Sequence, residues 1–275
     1  MTTTSVAPPA TTMTGSGLLA ENITVTFRSR GRTVTAVDGV TLAVAPGEIV
    51  GLVGESGSGK STVSRVICGL QREYSGTVTY NGAELKPCRS TPEWRTVQMV
   101  FQDPYASLDP RYTVRQMLVE VLGHHRIVPR DRYASRCETL MDMVQLPHGF
   151  LDRTPARMSG GQRQRIAIAR ALALEPSVLV ADEAVSALDV SVQAEIIRLF
   201  AALRDELGLS ILFISHDLAV VRNLCDRTAV IHHGVIVEAN DTASLFHDPQ
   251  DDYTKALLRS VPRFSSAFLD SLADD

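Results

Sequence analysis

The chain has 275 residues, of which 44% are hydrophobic and 21% charged, which is typical of a globular protein with a sizeable core. Its net charge of −4 argues against general nucleic-acid binding. No apolar run reaches the roughly 18–20 residues that a membrane-spanning helix needs, and the four cysteines form no C-x-x-C pair that would indicate a zinc site.

The N-terminal segment is rich in Thr, Ala and Pro and carries no charged side chain before Glu21. It lacks the basic start and the apolar stretch of a secretory signal. We therefore expect residues 1–17 to form a disordered tail, with a short docking segment as the alternative.

Three strands are predicted in the region that follows. Two β-branched segments, 18–27 and 34–44, are joined by a basic loop at 28–32. The apolar run Ile49–Val53 is typical of a strand that is covered on both faces. A glycine-rich loop and a helix over 60–68 come next.

The glycine-rich loop fits the Walker A pattern G-x-x-x-x-G-K-[ST] between a buried strand and a helix. Its backbone N–H groups can surround phosphate oxygens, Lys60 can reach the β- and γ-phosphates, and the Ser61 hydroxyl can bind Mg²⁺. The alternative is a glycine-rich turn that binds nothing. The expected nucleotide-binding residues are Gly54, Glu55, Ser56, Gly57, Ser58, Gly59, Lys60, Ser61 and Thr62.

The middle of the chain changes character. A hairpin at 76–82 and a strand at 97–101 precede a segment, 103–157, that is rich in helix formers, with candidate helices at 114–122 and 130–144. We read this segment as a helical insertion into an α/β core that spans 18–102 and 158–250. Residues 251–275 form a C-terminal tail.

The second half of the core returns to alternating strands and helices, which predicts a sheet covered by helices on both faces. The strands are expected at 178–181, 211–214, 228–231 and 235–238, and an apolar stripe from Val192 to Leu207 predicts a helix.

Two adjacent carboxylates, Asp182 and Glu183, end a buried strand, as in a Walker B motif. Such a pair is unfavourable unless a cation or a reaction requires it. We expect Asp182 to hold Mg²⁺ and Glu183 to polarise an attacking water. Gln102 and His216 each follow another predicted strand. The alternatives are solvated surface acids and a surface histidine.

A turn formed by Ser159, Gly160, Gly161 and Gln162 leads into a basic, apolar-striped helix expected at 163–174. Glycines at this place cost stability, and we see no use for the turn within a single chain. Its hydroxyl and its free N–H groups suit an anion at a helix N-terminus.

In this order, these motifs resemble those of ABC-type ATPases, whose signature usually reads LSGGQ. The resemblance covers nearly all of the chain from Leu18 onward. It implies an α/β fold, with a P-loop NTPase (RecA-like) core, an antiparallel β subdomain and an inserted helical subdomain. It also implies Gln102 as the Q-loop ligand of Mg²⁺, His216 as the switch histidine and Asp189 as part of the D-loop. Phe27 is the candidate for adenine stacking, although a core Phe on an edge strand is an equal alternative.

Two departures from the family pattern are visible. Met158 replaces the usual signature Leu, a swap of similar volume. Ala184 and Val185 stand where Pro-Thr is common, which alters the approach to the D-loop without removing a catalytic group.

Segments 100–111, 186–193 and 252–262 resemble those of bacterial dipeptide, oligopeptide and nickel importers. The resemblance implies ATP and Mg²⁺ as cofactors, a second and non-identical ABC ATPase, two membrane permeases contacted near 105–112, and indirectly a substrate-binding protein. The location implied is the cytoplasmic face of the membrane. Import of nickel or metallophores, a soluble ABC ATPase outside transport, and a regulatory subunit with a dead site are the alternatives.

Overall fold

The computed structural model describes residues 16–29, 32–103 and 107–260. Most of the expected N-terminal tail, residues 105–106 of the expected permease contact, and residues 261–275 of the expected C-terminal tail lie outside the described residues. The proposed domain boundaries therefore stay a prediction.

An antiparallel sheet of four strands is built from the N-terminal part of the chain. Its strands are β1 (Leu18–Ser29), β2 (Arg32–Val44), β4 (Ser75–Tyr80) and β5 (Ala83–Glu84), in the spatial order β2-β1-β4-β5. The predicted turn between β4 and β5 is present, and both Asn81 and Gly82 have the positive φ angles that a tight hairpin requires.

The second sheet has six described strands: β3 Ile49–Val53, β6 Val97–Val100, β7 Val178–Asp182, β8 Ser210–Ser215, β9 Arg227–His232 and β10 Val235–Asp241. Their spatial order is β10-β9-β3-β8-β7-β6. Strand β3 pairs in parallel with β8 and β9, and β7 pairs in parallel with β6 and β8, whereas β10 is an antiparallel edge strand. The carboxyl ends of β3, β6, β7 and β8 therefore meet at one edge of the sheet, where ligands bind in open α/β folds.

Nine α-helices are described: α1 Lys60–Ile67, α2 Thr91–Thr96, α3 Val114–His125, α4 Tyr133–Met143, α5 Gly160–Leu172, α6 Val190–Leu207, α7 Leu218–Leu224, α8 Thr242–His247 and α9 Asp252–Ser260. The helix expected at 130–144 begins instead with a separate 3₁₀ turn, Arg130–Arg132. No helix among residues 16–29, 32–103 and 107–260 is long and apolar enough to cross a membrane.

Two hydrophobic clusters lie on opposite faces of the parallel strands. In β3, Ile49 and Val53 belong to the cluster shared with the helical segment, while Val50 and Leu52 belong to the cluster shared with the antiparallel sheet and α1. This two-faced burial explains why β3 is a continuous apolar run, as expected for a parallel strand. Because β3 is buried on both faces, it also fixes the position of the loop that follows it.

Candidate functional site

The glycine-rich loop at residues 54–59 (the phosphate loop) connects β3 to α1. Gly54 has a φ of 157°, and a Cβ atom there would lie 2.2 Å from the carbonyl oxygen of Ile231. Gly59 is the N-cap of α1 at a φ of 110°, and a Cβ atom there would lie 2.7 Å from the carbonyl oxygen of Ala36. Both glycines are required because β2 and β9 approach the loop so closely.

The buried side chain of Lys60 lies inside the phosphate loop. Its ammonium donates hydrogen bonds to the carbonyl oxygens of Gly54 at 2.7 Å and Glu55 at 2.8 Å. Burial lowers the pKa of Lys60, and the nearby charges of Glu183 and Asp182 act in the opposite direction. A cation in this position can meet an anion that enters the loop.

Asp182 ends β7 next to the first turn of α1. One of its carboxylate oxygens lies 3.5 Å from the Ser61 hydroxyl, and the other accepts a hydrogen bond from the Ser64 hydroxyl at 3.2 Å. Burial is the main cause that raises the pKa of Asp182, and the charge of Glu183 raises it further. The hydroxyl and carboxylate oxygens of Ser61 and Asp182 fit a hard cation such as Mg²⁺.

The described residues contain no group of three or more His, Cys, Asp and Glu side chains that could hold a metal ion. A cation at Ser61 and Asp182 would therefore need further oxygen ligands from water or from a bound phosphate. This requirement agrees with the usual behaviour of Mg²⁺, which keeps few protein ligands and binds substrate phosphates.

Three strands bring Gln102, Glu183 and His216 together. A Glu183 carboxylate oxygen accepts a hydrogen bond from the Gln102 amide nitrogen at 3.0 Å, and the same oxygen lies 3.4 Å from Nδ1 of His216. The Gln102 amide also donates to the Ser186 hydroxyl at 3.2 Å. The sequence placed these side chains at three separate strand ends, and the parallel order of β6, β7 and β8 makes them one cluster.

The backbone of Glu183 has an unusual conformation. Its φ is 50°, in the left-handed region that non-glycine residues seldom adopt. The amide N–H of Glu183 donates to the carbonyl oxygen of Ile214 at 2.9 Å, so pairing with β8 holds this conformation. Nothing in the sequence predicts it, because glutamate has no preference for positive φ.

Helix α5 begins at Gly160, three residues before the expected start at 163. The cause is a capping box. The Ser159 hydroxyl accepts a hydrogen bond from the N–H of Gln162 at 3.3 Å, and the Gln162 side chain accepts one from the N–H of Ser159 at 3.0 Å. Ser159 and Gln162, two of the residues expected to face an anion, therefore already form the hydrogen bonds that cap α5.

The glycines of this turn have a use within the single chain, contrary to our expectation. A Cβ atom on Gly161 would lie 2.4 Å from Cγ1 of Val192, and one on Gly160 would lie 3.1 Å from Cδ2 of Leu188. Neither glycine has a positive φ. Their small size lets α5 pack closely against α6 and the segment before it.

Asp189 caps the N-terminus of α6. Its carboxylate accepts hydrogen bonds from the Ser191 hydroxyl at 2.7 Å and from the N–H of Val192 at 3.1 Å. These two bonds, the hydroxyl first, lower the pKa of Asp189. The side chain is exposed beside the segment that packs on Gly160, so Asp189 and the turn share one surface region.

Phe27 lies on β1, opposite Val34 of β2, and both side chains are exposed, by 44% and 60%. Phe27 lines a cavity of about 470 Å³ together with Thr24, Thr26, Arg28, Glu73, Tyr74 and Ser75. None of these lining residues belongs to the phosphate loop. The geometry does not join Phe27 to the loop, and adenine stacking stays a prediction.

The chain is similar to known proteins over most of its length. The family model described as ABC transporter matches residues 37–186. A putative peptide import ATP-binding protein of Brucella abortus (strain 2308) is 50% identical over 232 residues, which cover 83% of this chain and 70% of that protein. A putative oligopeptide transport ATP-binding protein of Bacillus subtilis (strain 168) is 47% identical over 237 residues, which cover 84% and 71%.

Solved structures of ATP-binding cassettes have a similar fold. A dimeric ATP-binding cassette in a post-hydrolysis state, bound to ADP and Pi, has a TM-score of 0.72 and 28% identity over 82% of this chain and 98% of that one. This similarity confirms the α/β P-loop NTPase fold. The phosphate loop, the carboxylates of Asp182 and Glu183 and the side chains that contact them thus lie at one edge of the six-stranded sheet. The sequence and the fold of the chain both match ABC proteins. The chain belongs to the ABC transporter family.

Proposed function

We propose that this chain is the ATP-binding and ATP-hydrolysing subunit of a membrane importer for dipeptides or oligopeptides. The observation that carries the proposal is the meeting of Gln102, Glu183 and His216 at the sheet edge that also carries Lys60 and Asp182. The names of the relatives favour peptides over nickel or metallophores. They also favour transport over a soluble ABC ATPase.

The phosphate loop and the first turn of α1 would bind the nucleotide phosphates. Lys60 would exchange its two loop carbonyls for β- and γ-phosphate oxygens, since its ammonium already lies inside the loop. Ser61, Asp182 and Gln102 would hold Mg²⁺. When bound, this ion supplies charge neutralisation for the phosphate oxygens.

Glu183 is the proposed general base. Its carboxylate is half-buried and would accept a proton from the attacking water. Gln102 and His216 contact the same carboxylate oxygen and would orient it and the water. The reaction is phosphoryl transfer from ATP to water, in which positioning and charge stabilisation provide most of the rate enhancement.

A second ABC ATPase subunit would complete each site. Ser159 and Gly160 are exposed at the N-terminus of α5, where the first N–H groups of a helix lack intrahelical partners and favour anions. We propose that Ser159, Gly160, Gly161 and Gln162, with Asp189 beside them, face the nucleotide of that subunit. The dimeric cassette to which this chain is similar supports a dimer, and the non-identical partner rests on the subfamily resemblance.

The remaining partners would be two membrane permeases and, through them, an extracytoplasmic substrate-binding protein. The chain would lie peripherally at the cytoplasmic face of the membrane, with no role for nucleic acid. The permease contact is proposed near residues 105–112, of which 107–112 are described. Tyr112 is 45% exposed in this segment and is available for a partner.

Reconstitution in proteoliposomes tests the proposal. The chain would be combined with the permeases and the second ATPase that co-purify with it and with a peptide-binding protein, and uptake of labelled dipeptide and phosphate release would be measured. Peptide should stimulate both, and Lys60→Ala should lower phosphate release roughly ten- to hundredfold, because a contact to a charged group contributes about 1.5–3 kcal/mol. Unchanged release with Lys60→Ala would indicate a dead site, and uptake of nickel or a metallophore without peptide would favour the alternative cargo.

A further inference from the structure

Tyr253 of helix α9 contacts the phosphate loop, although 198 residues separate it from its partner. Its hydroxyl accepts a hydrogen bond from the backbone N–H of Glu55 at 3.2 Å. Glu55 is the second residue of the loop, and nothing in the motif predicts a contact from the C-terminal part of the chain.

The contact acts on the same peptide group that Lys60 binds. The Gly54 carbonyl and the Glu55 N–H belong to one planar unit and point in opposite directions across it. Lys60 donates to that carbonyl at 2.7 Å, and Tyr253 accepts from that N–H. The peptide group is therefore held from both sides, and a flip would break both hydrogen bonds.

Tyr253 is itself held in place by a frame of fixed contacts. Its ring stacks on the ring of His232, with centroids 3.7 Å apart and an interplanar angle of 25°. The N–H of Tyr253 donates to the Asp251 carboxylate at 2.8 Å. The buried carboxylate of Glu238 on β10 accepts from the N–H groups of Gln250 and Asp251 at 2.9 and 3.0 Å, which ties the start of α9 to the sheet.

The hairpin between β9 and β10 contacts the loop on the same side. The N–H of Gly234 donates to the carbonyl oxygen of Ser58 at 2.9 Å. The carbonyl oxygen of Ile231 lies 2.2 Å from the position that a Cβ atom on Gly54 would take. Residues 231–234 and Tyr253 together support the backbone of the loop from outside, while the Lys60 ammonium lies inside it.

We propose that Tyr253 is a positioning residue for the phosphate loop. Its hydroxyl keeps the Gly54–Glu55 peptide group in the orientation that the loop needs before a phosphate enters. Without it, the loop would sample other orientations and would lose more conformational freedom on binding, which weakens affinity. This inference rests on the proposed nucleotide binding by the loop.

The test is Tyr253→Phe in the full-length chain, because this change removes the hydroxyl and keeps the stacked ring. Two quantities would be measured: the Kd for a fluorescent ATP analogue, and amide hydrogen exchange in the peptide that contains Glu55. We expect roughly three- to tenfold weaker binding, consistent with the loss of one neutral hydrogen bond, and faster exchange in the nucleotide-free chain.

The matched control is Tyr133→Phe, a tyrosine that packs near Gly123 in the helical segment. It should change neither the Kd nor the exchange of the loop. Affinity and exchange at wild-type levels in Tyr253→Phe would overturn the proposal. The same holds if the Kd and the exchange change in His232→Ala but not in Tyr253→Phe, because the ring stack rather than the hydroxyl would then be responsible.

The two proposals fail in different ways. If Lys60→Ala loses the ATP analogue while Tyr253→Phe behaves as wild type, only the positioning role of Tyr253 is wrong. If the wild-type chain binds no ATP analogue, nucleotide binding is wrong. Hydrogen exchange at Glu55 still decides, in that case, whether the Tyr253 hydroxyl holds the loop.

Discussion

The phosphate loop and the turn at residues 159–162 are both glycine-rich starts of a helix, and they use glycine for different reasons. Gly54 and Gly59 have positive φ angles, whereas Gly160 and Gly161 do not. The first pair shapes the backbone, and the second pair allows α5 to approach α6. Similar composition thus reflects a conformational need combined with close neighbours in the phosphate loop, and a need for space alone in the turn.

The two regions also differ in how their helix starts are capped and in how much of each site a single chain provides. Gly59 caps α1 without a side-chain hydrogen bond, and buried Lys60 occupies the loop interior. In the turn, Ser159 and Gln162 cap α5 through each other. The loop is a nearly complete pocket within one chain, while the turn presents an exposed helix start that a second chain would have to approach.

Glu183→Gln should separate binding from chemistry most strongly. The amide keeps the shape of the side chain but cannot accept the water proton, so phosphate release should fall about 10²- to 10⁴-fold. Affinity for an ATP analogue should remain close to wild type. Glu175→Gln, an exposed glutamate paired with Arg136, is the control. Near-wild-type turnover in Glu183→Gln would remove Glu183 from the role of general base.

Ser159→Arg tests whether the turn acts on another chain. The bulky cation would stand where a second nucleotide is expected, and loss of one phosphate-facing donor costs about a hundredfold in rate. Phosphate release by the assembled dimer should fall by that order, and ATP affinity of the isolated chain should not change. Ser135→Arg, at an exposed serine of α4, is the control. A large loss of affinity in the isolated chain would place the turn in its own site.

Gly161→Ala should have the smallest effect and should act on stability. The new methyl group would meet Val192 at 2.4 Å, and such overpacking costs about 1–3 kcal/mol, partly offset by the higher helix propensity of Ala, about 1 kcal/mol. Calorimetry should show a melting temperature a few degrees lower, at about 2–4 °C per kcal/mol for a chain of this size.

Gly149→Ala is the matched control, because no atom lies within 4 Å of its Cβ position. The double variant Gly161→Ala with Val192→Ala should regain part of the loss through relief of the contact. Equal melting temperatures for Gly161→Ala and Gly149→Ala would show that the glycine does not serve the packing of α5 on α6.

Local patterns in the sequence predicted the glycine-rich loop, the buried strands and the alternation of strands and helices, while the P-loop NTPase fold class came from the family resemblance. The run Ile49–Val53 predicted a strand covered on both faces, and the structure confirms it, because side-chain alternation and hydrophobicity are properties of neighbouring residues. The same reasoning misplaced the start of α5, since the Ser159–Gln162 capping box was not recognised. It also missed the break near Arg132 in the helix expected at 130–144.

The sequence by itself determined which chemical groups the chain carries, namely Lys60, Asp182, Glu183, Gln102 and His216, and that each follows a strand or a loop. Only the tertiary structure decided how they meet. The left-handed backbone of Glu183 is paired with β8 through a hydrogen bond to Ile214, and Gly161 packs against Val192. The N–H of Glu55 donates to the hydroxyl of Tyr253, which lies 198 residues away along the chain. Such contacts depend on strand order and register, because these bring together residues whose separation along the chain carries no local signal.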